Sequence, residues 1–197
     1  MQSLTSTSHI DSRRLLLLDQ AAACFRRLGY QAATVRDVAG ALGMTTGGIY
    51  AHYGSKEALL VAVYTRGVEQ IYEHVQAALA RSAPKGPDRL RAALTAHVEF
   101  LLSGGDYAQV VIRVMPDEAP EAVRAELIRL RDRYEAVFTA IVKDLRLKRG
   151  IDRRVFRLLV LGALNSTQRW YSKRGLTPSQ IAGCLFAMLG SAIEETS

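Results

Sequence analysis

The groups in this 197-residue chain with the chemistry to ligate a metal or move a proton are four histidines, two cysteines and nineteen carboxylates. Their spacing points to neither activity. His9, His52, His74 and His97 show no H-E-x-x-H pair, and neither Cys24 nor Cys184 has a ligand neighbour. His97 lies on an apolar helical face, where a histidine satisfied inside a core is the simpler reading. There is no G-x-S-x-G elbow and no G-x-x-x-x-G-K-[ST] loop, and Gly43, Gly47 and Gly48 lack the spacing of a dinucleotide fingerprint. The sequence therefore offers no catalytic residue, no metal site and no cofactor site, and an enzyme is the weakest reading.

Residues 34–53, TVRDVAGALGMTTGGIYAHY, carry a different chemistry, the recognition of duplex nucleic acid. The spacing predicts two short helices crossing at a tight turn. Thr34 caps the first helix, and Val35 and Val38 point inward. Ala39 sits where the helices approach most closely and a larger side chain would push them apart. Gly43, four residues on, supplies the positive φ that so steep a crossing needs. Leu42, Met44 and Ile49 complete a small core. Singly, each residue is ordinary helix packing; together they have the spacing of a helix-turn-helix. The outward positions Thr45, Thr46, Gly47, Gly48, Tyr50 and His52 are short or hydrogen-bonding and form no apolar stripe, so they suit a groove. Thr45 caps the second helix, whose N-terminal amides favour phosphate, and Lys56 adds a cation nearby.

The elements that must position this face are helical throughout, with no alternating strand pattern, so the expected fold is all-α with about nine helices. Ser12 is expected to cap a first helix whose buried face holds Leu17 or Leu18, Ala21, Ala22, Phe25 and Leu28, with Gly29 ending it. Ser55 caps a long helix from Lys56 to about Arg81. SAPKGPD, residues 82–88, breaks the pattern. Leu90, Leu94, His97 and Leu101 mark the next helix, stopping at Ser103-Gly104-Gly105, and a short one follows from Asp106 to Met115. A stripe from Val123 through Leu127, Leu130, Tyr134, Val137 and Ile141 to Leu145 fits one long helix. Asp152 then opens a helix containing VFRLLVLGAL, apolar nearly all round, and the last runs from Pro178 through Ile181, Leu185 and Met188 to Ala192. So much apolar surface on the last two helices calls for a partner, and a homodimer is the expectation.

Composition adds bounds. With 49% hydrophobic and 23% charged residues, the chain is long enough for a core without disulfides, and cysteines within apolar helical patterns suggest a reducing, cytoplasmic compartment. The N-terminus lacks the layout of a secretory signal, and no apolar run approaches membrane-spanning length. The net charge of +7 favours polyanionic partners. It is unevenly spread. Residues 1–58 carry six basic and four acidic groups, whereas residues 143–174 carry ten basic groups against Asp144 and Asp152 alone. A solvated surface with a basic loop and a phosphate-binding region both account for the latter.

Residues 12–58, above all TVRDVAGALGMTTGGIYAHYGSKEALL, resemble the DNA-binding domain of TetR-family transcriptional regulators, in the order Phe25, Gly29-Tyr30, Thr34, Ala39, Gly43, Gly47, Tyr50, His52 and Lys56. The resemblance implies a DNA-binding domain over 12–58, preceded by a flexible arm over 1–11 and followed by an effector-binding and dimerisation domain over 59–197. It implies that the second short helix enters the major groove, with Tyr50, His52 and Lys56 on phosphates, Thr45 and Thr46 near the base edges, Gly47 also on the DNA-binding face, and Arg36 as a further contact. Gly48 departs from the threonine, serine or alanine common there, and Tyr53, commonly phenylalanine, is expected to remain a core ring. Residues 162–182, GALNSTQRWYSKRGLTPSQIA, are similar to the C-terminal part of regulators of fatty-acid and steroid degradation, many of which respond to acyl-CoA thioesters. On that resemblance Arg169 pairs with phosphate, Trp170 stacks on adenine, and Phe100, Tyr107, Met115, Tyr134, Phe138 and Asn165 complete the effector site. The function implied is a repressor released from a near-palindromic operator by a small hydrophobic effector. A pocket for uncharged drug-like hydrophobes and a sequence-nonspecific nucleic-acid binder are the alternatives, the latter disfavoured by the small surplus of charge in residues 1–58.

Overall fold

The computed structural model describes residues 3–103 and 105–194, with side chains from Ser12 onward. The described residues form nine α-helices: α1 Ser3–Leu28, α2 Val35–Leu42, α3 Thr46–His52, α4 Lys56–Ala80, α5 Pro87–Leu102, α6 Asp106–Arg113, α7 Glu121–Asp144, α8 Arg153–Trp170 and α9 Pro178–Leu189. Short 3-10 turns at Pro116–Glu118 and Gly190–Ala192 follow α6 and α9. The last helix thus stops short of Ala192, its end tightening into a 3-10 turn. The expected all-α fold is what the chain adopts, and its pairing outside helices is an isolated bridge between Leu147 and Ile193.

Helix starts follow local chemistry. Ser55 accepts the amide of Ala58 at 3.0 Å, Asp152 accepts that of Val155 at 2.8 Å, and Thr177 closes a reciprocal capping box with Gln180 at the head of α9. Two expectations fail. Backbone helix extends N-terminally to Ser3, so Ser12 is an interior residue of α1 and not its cap. Of the arm expected over 1–11, Met1, Gln2 and all side chains lie outside the described residues. Leu28, expected on the buried face, is 40% exposed, because Gly29 turns the chain away at φ 76° immediately after it.

The chain forms two compact units, residues 1–68 with 106–130 and residues 69–105 with 131–197. In the first, Leu17, Ala21, Ala22 and Phe25 of α1 are buried with Val38, Ile49, Leu59 and Val63. Helix α6 is fastened to α1: the Tyr107 hydroxyl donates to Asp19 at 2.8 Å, Arg26 pairs with Asp106 at 2.5 Å, and Arg113 donates to the Arg26 carbonyl at 3.3 Å. Against α4 the approach is closer still. A Cβ added to Gly67 would lie 2.6 Å from Val111 Cγ2 and 3.0 Å from the Tyr107 carbonyl oxygen, so only glycine lets α6 seat there.

In the second unit α5 packs on α8 and α9, burying Leu90, Leu94, Leu101, Phe138, Phe156, Leu164 and Ile181. The outer side of α8 and α9 stays apolar, with Leu159 69% and Met188 74% exposed beside Val155 and Leu158. Both cysteines are free; Cys24 is buried as expected, whereas Cys184 is exposed on α9.

The seat at Gly67 yields a test. Alanine normally stabilises a helix interior relative to glycine by roughly 0.5–1 kcal/mol, but here overpacking should dominate and Gly67→Ala should cost about 1–3 kcal/mol. A thermal melt showing a raised Tm for the variant would contradict the close approach.

Candidate functional site

The candidate nucleic-acid interface is built on α2 and α3. Thr34 Oγ1 accepts the amide of Asp37 at 3.2 Å, and the Asp37 carboxylate accepts the Thr34 amide at 2.7 Å and hydroxyl at 2.6 Å. These bonds hold the Asp37 carboxyl below the usual carboxylate range. Gly43 closes α2 at φ 61°, as expected, and the Met44 amide then reaches back to the Ala39 carbonyl at 2.9 Å. Val38, Ala39 and Ile49 are the buried crossing.

Thr45 caps α3, accepting the Gly48 amide at 3.2 Å. With Ile49 turned inward, α3 presents the others outward: Thr45, Gly47 and Tyr50 are exposed, Thr46 and His52 half-buried, and Arg36 on α2 is exposed. Gly48 has a packing reason as well, since a Cβ there would lie 3.2 Å from Met44 Cε.

Lys56 has a second task that spacing did not reveal. Its ammonium lies 4.4 Å from the Tyr30 ring centroid and donates to the Gln31 carbonyl at 3.2 Å. Tyr30 meets Phe25 edge-on at 5.4 Å and donates to Glu57 at 3.4 Å; burial pushes its hydroxyl up to about 12. The ammonium has three donors, so the anchored group retains N–H capacity for a phosphate. Tyr53 is a core ring, as expected, and its hydroxyl accepts from Arg14 Nε at 3.2 Å. The signal for that contact was the hydroxyl itself, which a buried tyrosine must satisfy.

The residues expected to bind an effector fall into groups. Tyr134, Phe138 and Asn165 surround His97, which is 2% exposed. His97 Nδ1 is 2.6 Å from the Tyr134 hydroxyl and Nε2 is 3.2 Å from Asn165 Oδ1. An amide oxygen only accepts, so Nε2 carries the proton and Tyr134 donates to Nδ1. Phe138 stands edge-on to His97 at 5.8 Å. Burial pulls the imidazole down to about 4, leaving it neutral, and raises the Tyr134 hydroxyl well above its ordinary value. His97 is thus the satisfied core histidine expected.

Phe100 is half-buried, 6.0 Å from the His74 ring. Arg169 is exposed at the end of α8 beside Trp170, itself 58% exposed. Tyr107 and Met115 belong to the first unit, where Tyr107 is committed to Asp19 and Met115 is exposed.

Comparison with known proteins agrees with this geometry. Residues 17–63 match the family model for bacterial regulatory proteins of the tetR family, and residues 83–193 match that for the tetracyclin repressor-like C-terminal domain. The chain is 30% identical over 178 residues to the HTH-type transcriptional repressor KstR2 of Rhodococcus jostii, covering 86% of this chain and 84% of that protein. It is 28% identical over 160 residues to the HTH-type transcriptional activator FasR of Mycolicibacterium smegmatis, covering 81% and 73%. Among solved structures, AibR in complex with isovaleryl coenzyme A and operator DNA superposes with a TM-score of 0.80 at 25% identity, covering 89% of this chain and 97% of AibR.

The buried imidazole predicts a pH dependence. Its folded pKa of about 4 lies below the unfolded value near 6.5, so the folded state binds fewer protons between them. This contribution is complete above pH 6.5 and is lost as pH falls toward 4, by up to about 3 kcal/mol. Denaturation midpoints measured from pH 7 to 4.5 should fall more steeply for the wild type than for His97→Gln; equal slopes would refute the assignment.

Proposed function

Because the chain belongs to the TetR family of bacterial regulatory proteins, we propose that it is a homodimeric transcriptional repressor that leaves a near-palindromic operator when an acyl-CoA thioester binds. The observation that carries the DNA-binding half is the outward face of α3 held on a capped, buried crossing with α2. In this reading residues 12–58 are the DNA-binding head and 59–197 the effector-binding and dimerisation part. Helix α3 enters the major groove with Thr45 and Thr46 toward base edges, Gly47 on the same face, Tyr50, His52 and Lys56 on phosphates, and Arg36 beside them. The protein acts by binding, not by catalysis, and works in the cytoplasm; among the described residues no helix is long and apolar enough to cross a membrane.

Dimerisation follows from the exposed apolar side of α8 and α9, which is too extensive to leave in water. A twofold interface sets the two recognition helices about 34 Å apart, one helical turn of DNA. For the effector, the likeness to a protein crystallised with isovaleryl coenzyme A supports a thioester. So does the exposed pair Arg169 and Trp170, a guanidinium fork for phosphate next to a ring for adenine. Phe100, Tyr134, Phe138 and Asn165 take the acyl end in this reading, with His97 holding Tyr134 and Asn165 in place. Tyr107 and Met115 then act through α6, whose seat on α1 and α4 ties the head to any shift of α4. A coupling of roughly 1–3 kcal/mol, about 5–150-fold in DNA affinity, suffices for release.

Three measurements test this. Tyr50→Ala should weaken operator binding ~10-fold without lowering Tm, as loss of a hydrogen bond to a charged phosphate predicts; unchanged affinity would remove α3 from the interface. Leu159→Glu should yield monomers by light scattering and abolish tight operator binding. In gel-shift titrations long-chain acyl-CoA should release the DNA, and Arg169→Ala should weaken that response. Release by an uncharged hydrophobe, indifferent to Arg169, would favour a drug-type pocket instead.

A further inference from the structure

We infer that the corner where α7 turns into α8 is a second, sequence-indifferent contact for the phosphate backbone of duplex DNA. It uses residues of the second compact unit, none of them from α3, and accounts for the concentration of positive charge that operator binding by the head leaves unused.

The corner is a built feature. Gly150, at φ 89°, allows a tight turn closed by the Ile151 amide on the Lys148 carbonyl at 3.2 Å, which puts Arg149 and Gly150 at its tip with Lys148 leading into it. The turn is clasped by the C-terminal segment, through the Leu147–Ile193 bridge and through bonds from the Lys148 amide to Ala192 at 3.0 Å and from the Glu194 amide to Arg146 at 2.8 Å. Arg153 donates back to the carbonyls of Val142 and Leu145, so locking the end of α7 to the start of α8.

The remaining cations face outward. Lys143, Arg146, Lys148, Arg149 and Arg154 are all exposed, and none forms an ion pair among the described residues. The nearby acids do little to offset them. Asp152 is occupied as the α8 cap, and Asp144 and Glu194 are exposed. Elsewhere in the same unit arginines do find carboxylates: Arg131 and Arg157 share Glu135, at 3.3 and 2.5 Å. Arg154, moreover, sits in the first turn of an 18-residue helix, where the helix dipole disfavours a cation. Crowding like charges onto a rigid tip costs stability unless an anion is there to meet them.

The chemistry of the corner selects the anion. Residues 143–155 contain no aromatic side chain on which a base or a free nucleotide could stack. Leu145, Leu147 and Ile151 are buried or half-buried, and the exposed Val155 belongs to the apolar side of α8 assigned to the dimer, so the tip has no apolar anchor for a bilayer. Several cations spread over a fixed surface with nothing to read base edges match a run of backbone phosphates.

The test uses the full-length dimer and the triple variant Lys148→Gln, Arg149→Gln, Arg154→Gln. Affinities are measured across salt for an operator duplex of about 30 base pairs, for about 200 base pairs containing that operator, and for about 200 base pairs of random sequence; each phosphate contact adds about 0.9 to the log–log salt slope. The wild type should show slopes steeper by about 2–3 on both long duplexes than its variant, and about 10-fold or greater tightening, while the two proteins match on the short operator. Identical slopes for both proteins on long DNA overturn the inference, as does a difference that appears on anionic phosphatidylserine vesicles and not on DNA. The random duplex reports on the corner even if operator recognition by α3 proves wrong.

Discussion

The interface rests on a steric constraint where α2 meets α3. Ala39 is small enough to let the helices touch, and Gly43 takes the left-handed conformation that lets the chain double back, after which the Met44 amide bonds the Ala39 carbonyl. With Ile49 turned into this crossing, it sets the direction in which Thr45, Thr46, Gly47 and Tyr50 point. The capping bonds of Thr34 and Thr45 sharpen the two helix starts, but they act on helices whose crossing is already set.

What was legible in the sequence was local. Caps at Thr34, Thr45, Ser55 and Asp152, the turn glycines Gly29 and Gly43, and the long stripe of α7 depend on residues a few positions apart, and all appear as read. Ser12 misled because a serine competent to cap is also tolerated inside a helix, and nothing in the residues before it breaks the helical pattern. Leu28 misled because periodicity assigns a face but not the point at which the neighbouring element ends. Contacts between distant segments were not legible. The close approach of α6 to Gly67 and the bond from Tyr107 to Asp19 join residues 40 or more positions apart, which no local spacing reports. The hydroxyl of Tyr53 and the ring of Tyr30 were visible, but nothing in the spacing pointed to Arg14 as a partner, and Lys56 was read for phosphate alone.

The polar interior of the second unit shows how burial decides a role. His97, Tyr134 and Asn165 satisfy one another in a single direction of donation, so three groups that would each be costly in an apolar core form one neutral chain. Low dielectric keeps the imidazole uncharged and the phenol protonated, which makes the set a fixed pattern of dipoles instead of a charge. Arg131 and Arg157 follow a different logic, half-buried because they share the carboxylate of Glu135.

The fastening of α6 to α1 has an evolutionary corollary. Asp19 and Tyr107 are 88 positions apart in the chain yet form one joint, with Arg26 and Asp106 as its neighbour. A gene crossover that exchanged one regulator's first sixty codons for another's would swap half of each joint and leave the mate behind. Recombination can trade such heads cleanly only when the segment around residues 106–113 travels with them, so lineages that shuffle operator specificity should inherit these two stretches as a linked pair.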